Sequence, residues 1–332
     1  MTAPDRARVA GLLWGFFPAQ VLQTLARLGV PDRLEAGPRA LADLAADTGC
    51  DPDALHRLLR AAAGLGLVDS DDDRWHLTPD GTLLVSGTTG AIGNLAQLFC
   101  GDAVWRAWGE LEWSVRTGNP SLEKITGMGT FEHMAANPAL LAIFTEAMAE
   151  GSRMAAPGVV ASCDLDGAGT LVDVGGGDGT LLAAFLSAHP TLRGILFDTP
   201  DGVGGAVGSE RCEIVTGDFF AAVPAADAHV IKSVIHDWDD EHSTAILTRI
   251  REAMPSHGRL FLVEPVLAPD TAGLAAQRVT LMSDLNMLVC TGGRERTEAE
   301  FRGLLDAAGL RLVSVTPVPP PTGFSVLTAV RA

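Results

Sequence analysis

Apolar residues in the first ninety positions recur at helical spacing. Leu12, Leu13, Phe16, Phe17, Val21, Leu22, Leu25 and Leu28 predict one long helix with a wide apolar face, ended by Gly29 and Pro31. Asp51-Pro52 supplies an N-cap and a proline at the first helical position for a second helix, with Leu55, Leu58, Leu59 and Ala62 on one face. Leu65 to Leu77, with a charged tip at Asp69–Asp73, reads as a short hairpin, and Thr78-Pro79 opens another helix. Helix, turn, helix and a two-stranded wing together predict a winged-helix arrangement. Residues 91–163 read as mainly helical, with breaks around Gly118–Gly129 and at Asn137-Pro138.

From Thr170 the pattern changes to strands alternating with helices. Strands are predicted at 170–174, 193–198, 212–216, 228–234, 258–266, 310–317 and 323–330. Such alternation implies a mostly parallel sheet covered on both faces. Only the turn Pro317–Gly323 separates the last two strands, so they should pair antiparallel. The expected fold class is α/β: a Rossmann-like domain with a seven-stranded sheet at 164–332, a helical linker and pocket region at 91–163, and a mainly helical domain at 1–90.

Leu171-Val-Asp-Val-Gly-Gly-Gly-Asp-Gly-Thr-Leu-Leu182 reads as a buried strand, a glycine turn and the first turn of a helix. Glycines at such a turn let the backbone approach a ligand, and the helix start offers free N–H groups and a positive dipole end. The dinucleotide fingerprint G-x-G-x-x-G fails, because its sixth position is Thr180. The pattern present, D-x-G-x-G-x-G, resembles the cofactor loop of S-adenosylmethionine methyltransferases. Asp198 ends the next strand, about 20 residues on, where an acid takes ribose hydroxyls. A plain glycine turn is the competing reading.

The net charge of −17 over 332 residues, with 41 acids against 24 bases, opposes a nucleic-acid partner. No apolar run long enough for a membrane span and no export signal are evident, so a cytoplasmic protein without a membrane partner is expected. Five cysteines are scattered without a C-x-x-C pair, which suits buried thiols rather than a disulfide framework.

Val230-Ile-Lys-Ser-Val-Ile-His236-Asp237-Trp238-Asp239-Asp240 is an apolar strand ending in His-Asp-Trp before a helix at about residue 240. His236 thus falls at the carboxyl end of the fourth strand, on the sheet edge that carries the glycine loop. A neutral imidazole there can accept a proton from a phenol-like hydroxyl. The competing reading is a polar strand-end residue beside a capping aspartate. His236, Asp237, Asp239 and His242 are close in sequence but match no ligand spacing, and no metal is expected. The other histidines, including His229, read as isolated surface or packing residues.

The glycine loop, Gly217-Asp-Phe-Phe220, Lys232–Asp240, Arg259–Glu264 and Gly292–Thr297 occur in order over nearly the whole chain. This ordered set resembles the plant caffeate-type O-methyltransferases and their bacterial relatives in antibiotic and pigment biosynthesis. The resemblance implies a homodimer through the N-terminal domain and S-adenosylmethionine as cofactor. It implies that Gly175, Gly176 and Gly177 hold the methionyl and ribose part, that Asp198 takes the ribose, and that Asp218 and Phe219 flank the adenine. Lys232 and Ser233 would lie near the cofactor, as would Ser152 and Arg153. His236 would be the general base, with Glu264 and Glu295 orienting it and Asp237 beside it. Read without the resemblance, Glu295 in its Gly-Gly-Arg-Glu-Arg loop is equally a solvated charge. The segment after Asp198, Thr199–Gly208, is shorter and richer in glycine than is usual in the family, which puts the adenosine wall in question.

Trp105, Trp108, Phe131, Met134, Phe144, Met148, Met282 and Asn286 are candidates for an apolar pocket suited to a flat aromatic acceptor, against the reading that they are simply core. The expected activity is methyl transfer to a hydroxyl of an aromatic small molecule, in secondary-metabolite biosynthesis. Two other readings are a methyltransferase-fold enzyme that hydroxylates or rearranges its substrate, and a winged-helix DNA-binding regulator. Intact His236, Glu264 and Glu295 disfavour the first. Arg57 and Arg60 as the only bases on the presumed recognition helix disfavour the second.

Overall fold

Strand–helix alternation after residue 170 produces the expected sheet. The computed structural model describes residues 4–88, 90–206 and 208–332. It divides into two compact units, the first reaching to Trp105 and including Ala142–Glu150, the second comprising Arg106–Leu141 and Gly151–Ala332.

In the first unit the apolar N-terminal stretch is two helices rather than one: α1 (Arg6–Leu13) and α2 (Phe16–Leu28), parted at Trp14-Gly15. Gly29, at φ 63°, caps α2, but Pro31 does not end the run; it lies in the first turn of α3 (Val30–Leu34), where its missing N–H is harmless. β1 (Arg39–Ala40), α4 (Leu41–Thr48) and α5 (Pro52–Gly64) follow, with the Asp51 carboxylate accepting from the Ala54 N–H at 2.9 Å as the cap. β2 (Val68–Asp71) and β3 (Arg74–Leu77) form the expected hairpin, turning through Asp72 and Asp73 at positive φ, and β1 adds an unforeseen third strand. Thr78 accepts from the Gly81 N–H, yet what it starts is one 3₁₀ turn, Gly81–Leu84, not an α-helix.

Leu25, Val30, Leu44, Leu55, Leu59 and Trp75 pack this unit's core. Val9, Leu12, Leu13, Trp14, Phe16 and Phe17 stay exposed. The stretch Arg6–Leu28 has the length and mean hydropathy (1.3) of a membrane-crossing helix, contrary to expectation, although the turn at Trp14-Gly15 divides it. Then come α6 (Gly93–Phe99) and α7 (Asp102–Gly109). The buried Glu150 carboxylate accepts from the Asn94 and Leu95 N–H groups at the start of α6, 3.1 and 2.9 Å away.

The second unit opens with α8 (Leu111–Thr117), α9 (Ser121–Thr126), α10 (Thr130–Ala135) and α11 (Pro138–Ser162). α9 fills part of the expected break at 118–129, and α11 passes through both units. The sheet strands are β4 (Thr170–Val174), β5 (Arg193–Asp198), β6 (Cys212–Thr216), β7 (Ala228–Lys232), β8 (Arg259–Leu267), β10 (Leu310–Pro317) and β11 (Phe324–Arg331), with the two-residue β9 (Arg296–Thr297) pairing the end of β8. Their order is β10-β11-β8-β7-β4-β5-β6, parallel except for β11, which runs antiparallel to both neighbours. The helices are α12 (Thr180–Ala188), α13 (Asp240–Ala253), α14 (Thr271–Leu274), α15 (Arg278–Cys290) and α16 (Glu298–Ala307).

Side chains alternate between the sheet faces. Val172, Leu260 and Leu262 join Ile246 and Leu247 of α13 and Phe301 and Leu305 of α16. Leu171, Phe261 and Val263 join Phe185 of α12 and Val159 of α11. With both faces covered, ligand access is left at the carboxyl ends of the parallel strands, where β4 and β7 deliver the glycine loop and the histidine turn side by side.

Candidate active site

The glycine loop is shaped by its neighbours. Gly175, Gly177 and Gly179 adopt φ of 67, 57 and 83°, which a side chain rarely tolerates. A Cβ on Gly175 would lie 2.8 Å from Val234, and one on Gly176 would reach 2.7 Å from the Asp173 carboxyl carbon. Asp198, at the end of β5, accepts from the Gly177 N–H at 2.9 Å and the Thr199 N–H at 2.6 Å, so the glycine loop and this strand-end acid form one unit. The glycine-rich segment after Asp198 folds close against it: a Cβ on Gly202 would strike the Asp198 carboxylate. Val203 and Ala206 of that segment pack on the core, while Val207 lies outside the described residues.

Asp173, the first residue of D-x-G-x-G-x-G, was not among the sequence candidates. Its side chain is buried and its Oδ2 lacks a protein partner. Burial pushes its carboxyl up to about 7, against the pull of Lys232, with Asp198 adding repulsion. The signal was available: an acid in an otherwise apolar strand.

Lys232 ends β7 with its ammonium 5.1 Å over the Phe324 ring and donating to the Ser233 hydroxyl at 3.2 Å. Burial lowers its pKa, with Glu264 and Asp173 resisting. Ser233 turns the chain out of the strand at φ 53°. Asp218 uses its carboxylate locally, accepting from the Phe220 N–H at 2.8 Å. Phe219 and Phe220 meet Trp238 edge-on at 6.2 and 4.9 Å, and Phe131 stacks on Trp238 at 5.8 Å. Trp238 Nε1 is buried without a partner.

β7 stops at Lys232, so His236 is not on the strand end itself but in a 3₁₀ turn, Ile235–Asp237. Its Nδ1 lies 3.1 Å from Glu295 Oε1 and 3.4 Å from Glu264 Oε2. Both carboxylates are fully buried, while the imidazole keeps 13% exposure. The solvated reading of Glu295 is therefore wrong: the loop before β9 turns it inward, and Ser283 of α15 donates to Oε1 at 2.7 Å. Glu264 spends Oε1 on the N–H groups of Val234 and Ile235, at 3.0 and 2.9 Å, and so fixes the turn that carries His236. Burial would depress the imidazolium pKa, but Glu264, the Glu295 hydrogen bond and Asp237 outweigh it and carry His236 up to about 10. Burial pushes the Asp237 carboxyl up to about 7, with His236 opposing.

His236 Nδ1 and the two glutamates offer atoms within 4.8 Å of one another. The run His236-Asp237-Asp239-His242 makes no such set: Asp239 caps α13 and pairs with His242 at 2.8 Å, in solvent.

Of the pocket candidates, Asn286 accepts from Trp108 Nε1 at 3.0 Å, Met282 is exposed and Met134 buried. Trp105, Phe144 and Met148 belong to the first unit, where Trp105 packs on Phe16 at 5.7 Å. On α11, Ser152 is half-buried and Arg153 exposed.

A glycine cradle joined to a strand-end acid, beside a carboxylate-held imidazole, defines a small-molecule transferase of the Rossmann-like methyltransferase class. Two family models match the chain: an O-methyltransferase dimerisation domain over residues 11–87 and an O-methyltransferase domain over residues 108–311. The chain is 40% identical over 334 residues to the O-demethylpuromycin-O-methyltransferase of Streptomyces alboniger, covering 97% of this chain and 88% of that one. Among solved structures it matches the mitomycin 7-O-methyltransferase with a TM-score of 0.86 and 35% identity, over 98% and 97% of the two chains. It also matches a neocarzinostatin-biosynthesis O-methyltransferase in complex with S-adenosylmethionine and 2-hydroxy-5-methyl naphthoic acid, with a TM-score of 0.77 and 31% identity over 95% and 96%. The protein belongs to the O-methyltransferase family.

Proposed function

We propose that this enzyme methylates a hydroxyl of an aromatic small molecule in secondary-metabolite biosynthesis, with His236 as the general base. The methyl donor is S-adenosylmethionine. The residues present suit it: Gly177 opens onto free space, Asp198 offers acceptors for ribose hydroxyls, and the unpartnered Asp173 Oδ2 suits a cationic amino group. The cofactor supplies an electrophilic methyl on a sulfonium.

The observation that carries the histidine's role is the hydrogen bond between Nδ1 and Glu295, with Glu264 3.4 Å away, which in the neutral imidazole leaves Nε2 as the unprotonated nitrogen. Nothing among the described residues hydrogen-bonds Nε2, so it is free to take the proton of an acceptor hydroxyl. The buried carboxylates then stabilise the imidazolium that forms. Lys232, Ser233, Asp218 and Phe219 are assigned to the cofactor side, and Phe131, Asn286 and Met282 to the acceptor side. Relatives are named for mitomycin and for neocarzinostatin biosynthesis, and the latter is seen in complex with a hydroxynaphthoic acid, which supports a flat phenolic acceptor.

A homodimer through the N-terminal region is supported by the dimerisation-domain match and by exposed apolar side chains on α1 and α2. The described cysteines are all free, which suits the cytoplasm. The test is incubation with S-adenosylmethionine and a panel of hydroxybenzoic, hydroxynaphthoic and hydroxyphenazine acceptors, read by product mass. One added methyl on a hydroxyl supports the reading. Methylation only of amines, or oxygen insertion, overturns it.

A further inference from the structure

Glu295 is held at two points by adjacent residues of α15. Ser283 Oγ donates to its side-chain Oε1 at 2.7 Å, and its own main-chain N–H donates to Asp284 Oδ1 at 2.9 Å. The oxygen that Ser283 engages is the one that meets His236 Nδ1 at 3.1 Å. One carboxylate oxygen therefore receives a hydroxyl and an imidazole N–H together. A second donor on a carboxylate oxygen draws off part of its negative charge and weakens its hold on the first. It also restrains the carboxylate, because both donors must be satisfied at once.

We propose that Ser283 is a positioning residue: its hydroxyl aligns Glu295 with His236 and limits how tightly Glu295 retains the Nδ1 proton. The need for a limit is evident from the surroundings. His236 faces Glu264 from β8, Asp237 from its own turn and Glu295 from the loop before β9. Lys232, at the end of β7, acts on Glu264, and Asp284 and Cys290 of α15 lie behind Glu295 and Asp237. With that much negative charge around it, an imidazole held as imidazolium at neutral pH is a poor base. A hydroxyl moderates one of the carboxylates without adding charge. The inference rests on His236 being the base for its catalytic meaning, but the tuning itself can be measured without substrate.

The experiment is a pH titration of nitrogen-15-labelled histidines by NMR, on the full-length protein with no acceptor present. The His236 signal is assigned by its loss in His236→Gln. Ser283→Val and Ser283→Thr are near-isosteric and differ in the hydroxyl, with Ser283→Ala as a third variant should valine disturb the helix. Valine and alanine should raise the His236 pKa by roughly half to one unit, while threonine restores the wild-type value. An unchanged or lowered His236 pKa in a folded valine or alanine variant overturns the proposal, as does threonine behaving like valine. Turnover of His236→Ala is measured alongside. If that variant keeps wild-type turnover, the base assignment fails, whereas the titration still decides whether Ser283 tunes the imidazole.

Discussion

Arg296 fixes the backbone on both sides of His236. Its fully buried guanidinium donates to the Ile235 carbonyl at 3.1 Å and to the Trp238 carbonyl at 2.8 Å, one residue before and two after the histidine. It also meets Asp240 Oδ1 through Nε and Nη2, at 3.1 and 2.8 Å, tying the turn to the start of α13. Because Arg296 follows Glu295, the segment that brings the Glu295 carboxylate to His236 also clamps the turn that carries the imidazole. Arg296→Met should remove these charged hydrogen bonds, at about 1.5–3 kcal/mol each, and leave the two carbonyls only the longer contacts of 3.3–3.4 Å from Ser243 and the Trp238 N–H. The expected result is a clear loss in denaturant midpoint and a larger fall in kcat than in cofactor affinity. A variant with wild-type stability would show that the clamp is dispensable.

His236→Ala should lower kcat about 100- to 10,000-fold while the Kd for S-adenosylmethionine, measured by calorimetry, stays near wild type. With the imidazolium pKa at about 10, the active neutral form is scarce at pH 7, and kcat/KM should climb about tenfold per pH unit from 7 towards 10. A flat profile over that range would remove His236 as the titrating base. The same shift bears on stability: the folded pKa exceeds the unfolded 6.5, so this stabilisation is complete below 6.5 and is lost as pH rises through about 10.

Cofactor binding should depend on Asp198 and Asp173 in different ways. Asp198→Ala should weaken S-adenosylmethionine binding strongly at every pH, because the strand-end acid and the Gly177 N–H contact go together. Asp173 has its carboxyl raised from 3.8 to about 7, so affinity for the cationic ligand should increase as pH passes through 7. Asp173→Asn should abolish that pH dependence. It should also make the ligand-free protein more stable above pH 7, since the folded state no longer carries a buried ionised acid. Isothermal titration across pH 6–9 checks both.

His229 sits fully buried in β7, with Nε2 3.0 Å from the Pro224 carbonyl, and burial lowers its pKa below 6.5. The unfolded chain therefore takes up a proton that the folded chain refuses. Stability should be undiminished above pH 6.5 and fall as pH drops below it. His229→Leu should flatten the acid side of a thermal-melting profile, and an identical slope in that variant would assign the acid sensitivity elsewhere.

Val9, Leu12, Leu13, Trp14, Phe16 and Phe17 expose apolar side chains over 47–69% of their surfaces except where they touch one another. Light scattering at micromolar concentration should report a dimer. Leu13→Glu with Phe17→Glu should yield monomer, and a monomeric wild type would contradict the assembly.

Much of this was written in the one-dimensional pattern. Seven of the sheet's eight strands, all but the two-residue β9, came from runs of apolar residues bounded by turns, and the glycine loop, Asp198 and His236 from local spacing, because each depends on chain neighbours. The Asp51 cap was likewise legible, since a cap acts within one helical turn. The N-terminal stretch was misread as one helix because its apolar face continues across Trp14-Gly15, and periodicity does not register a local turn.

What tertiary structure alone decided was which polar groups meet. Glu295 could be read as a solvated loop charge until β9 paired with β8 and turned it onto His236, 59 residues away in sequence. Ser283 and Arg296 carried no readable signal, because a serine in a helix and an arginine in a charged loop are ordinary, and their roles exist only where α15, β9 and the histidine turn converge. By itself the sequence determined the strand–helix alternation, the glycine loop and the base candidate, all set by local backbone preference and hydrophobic period. The pairing of buried charges around His236 was left to the packed fold, since only there does removal from water force each carboxylate to find its donor.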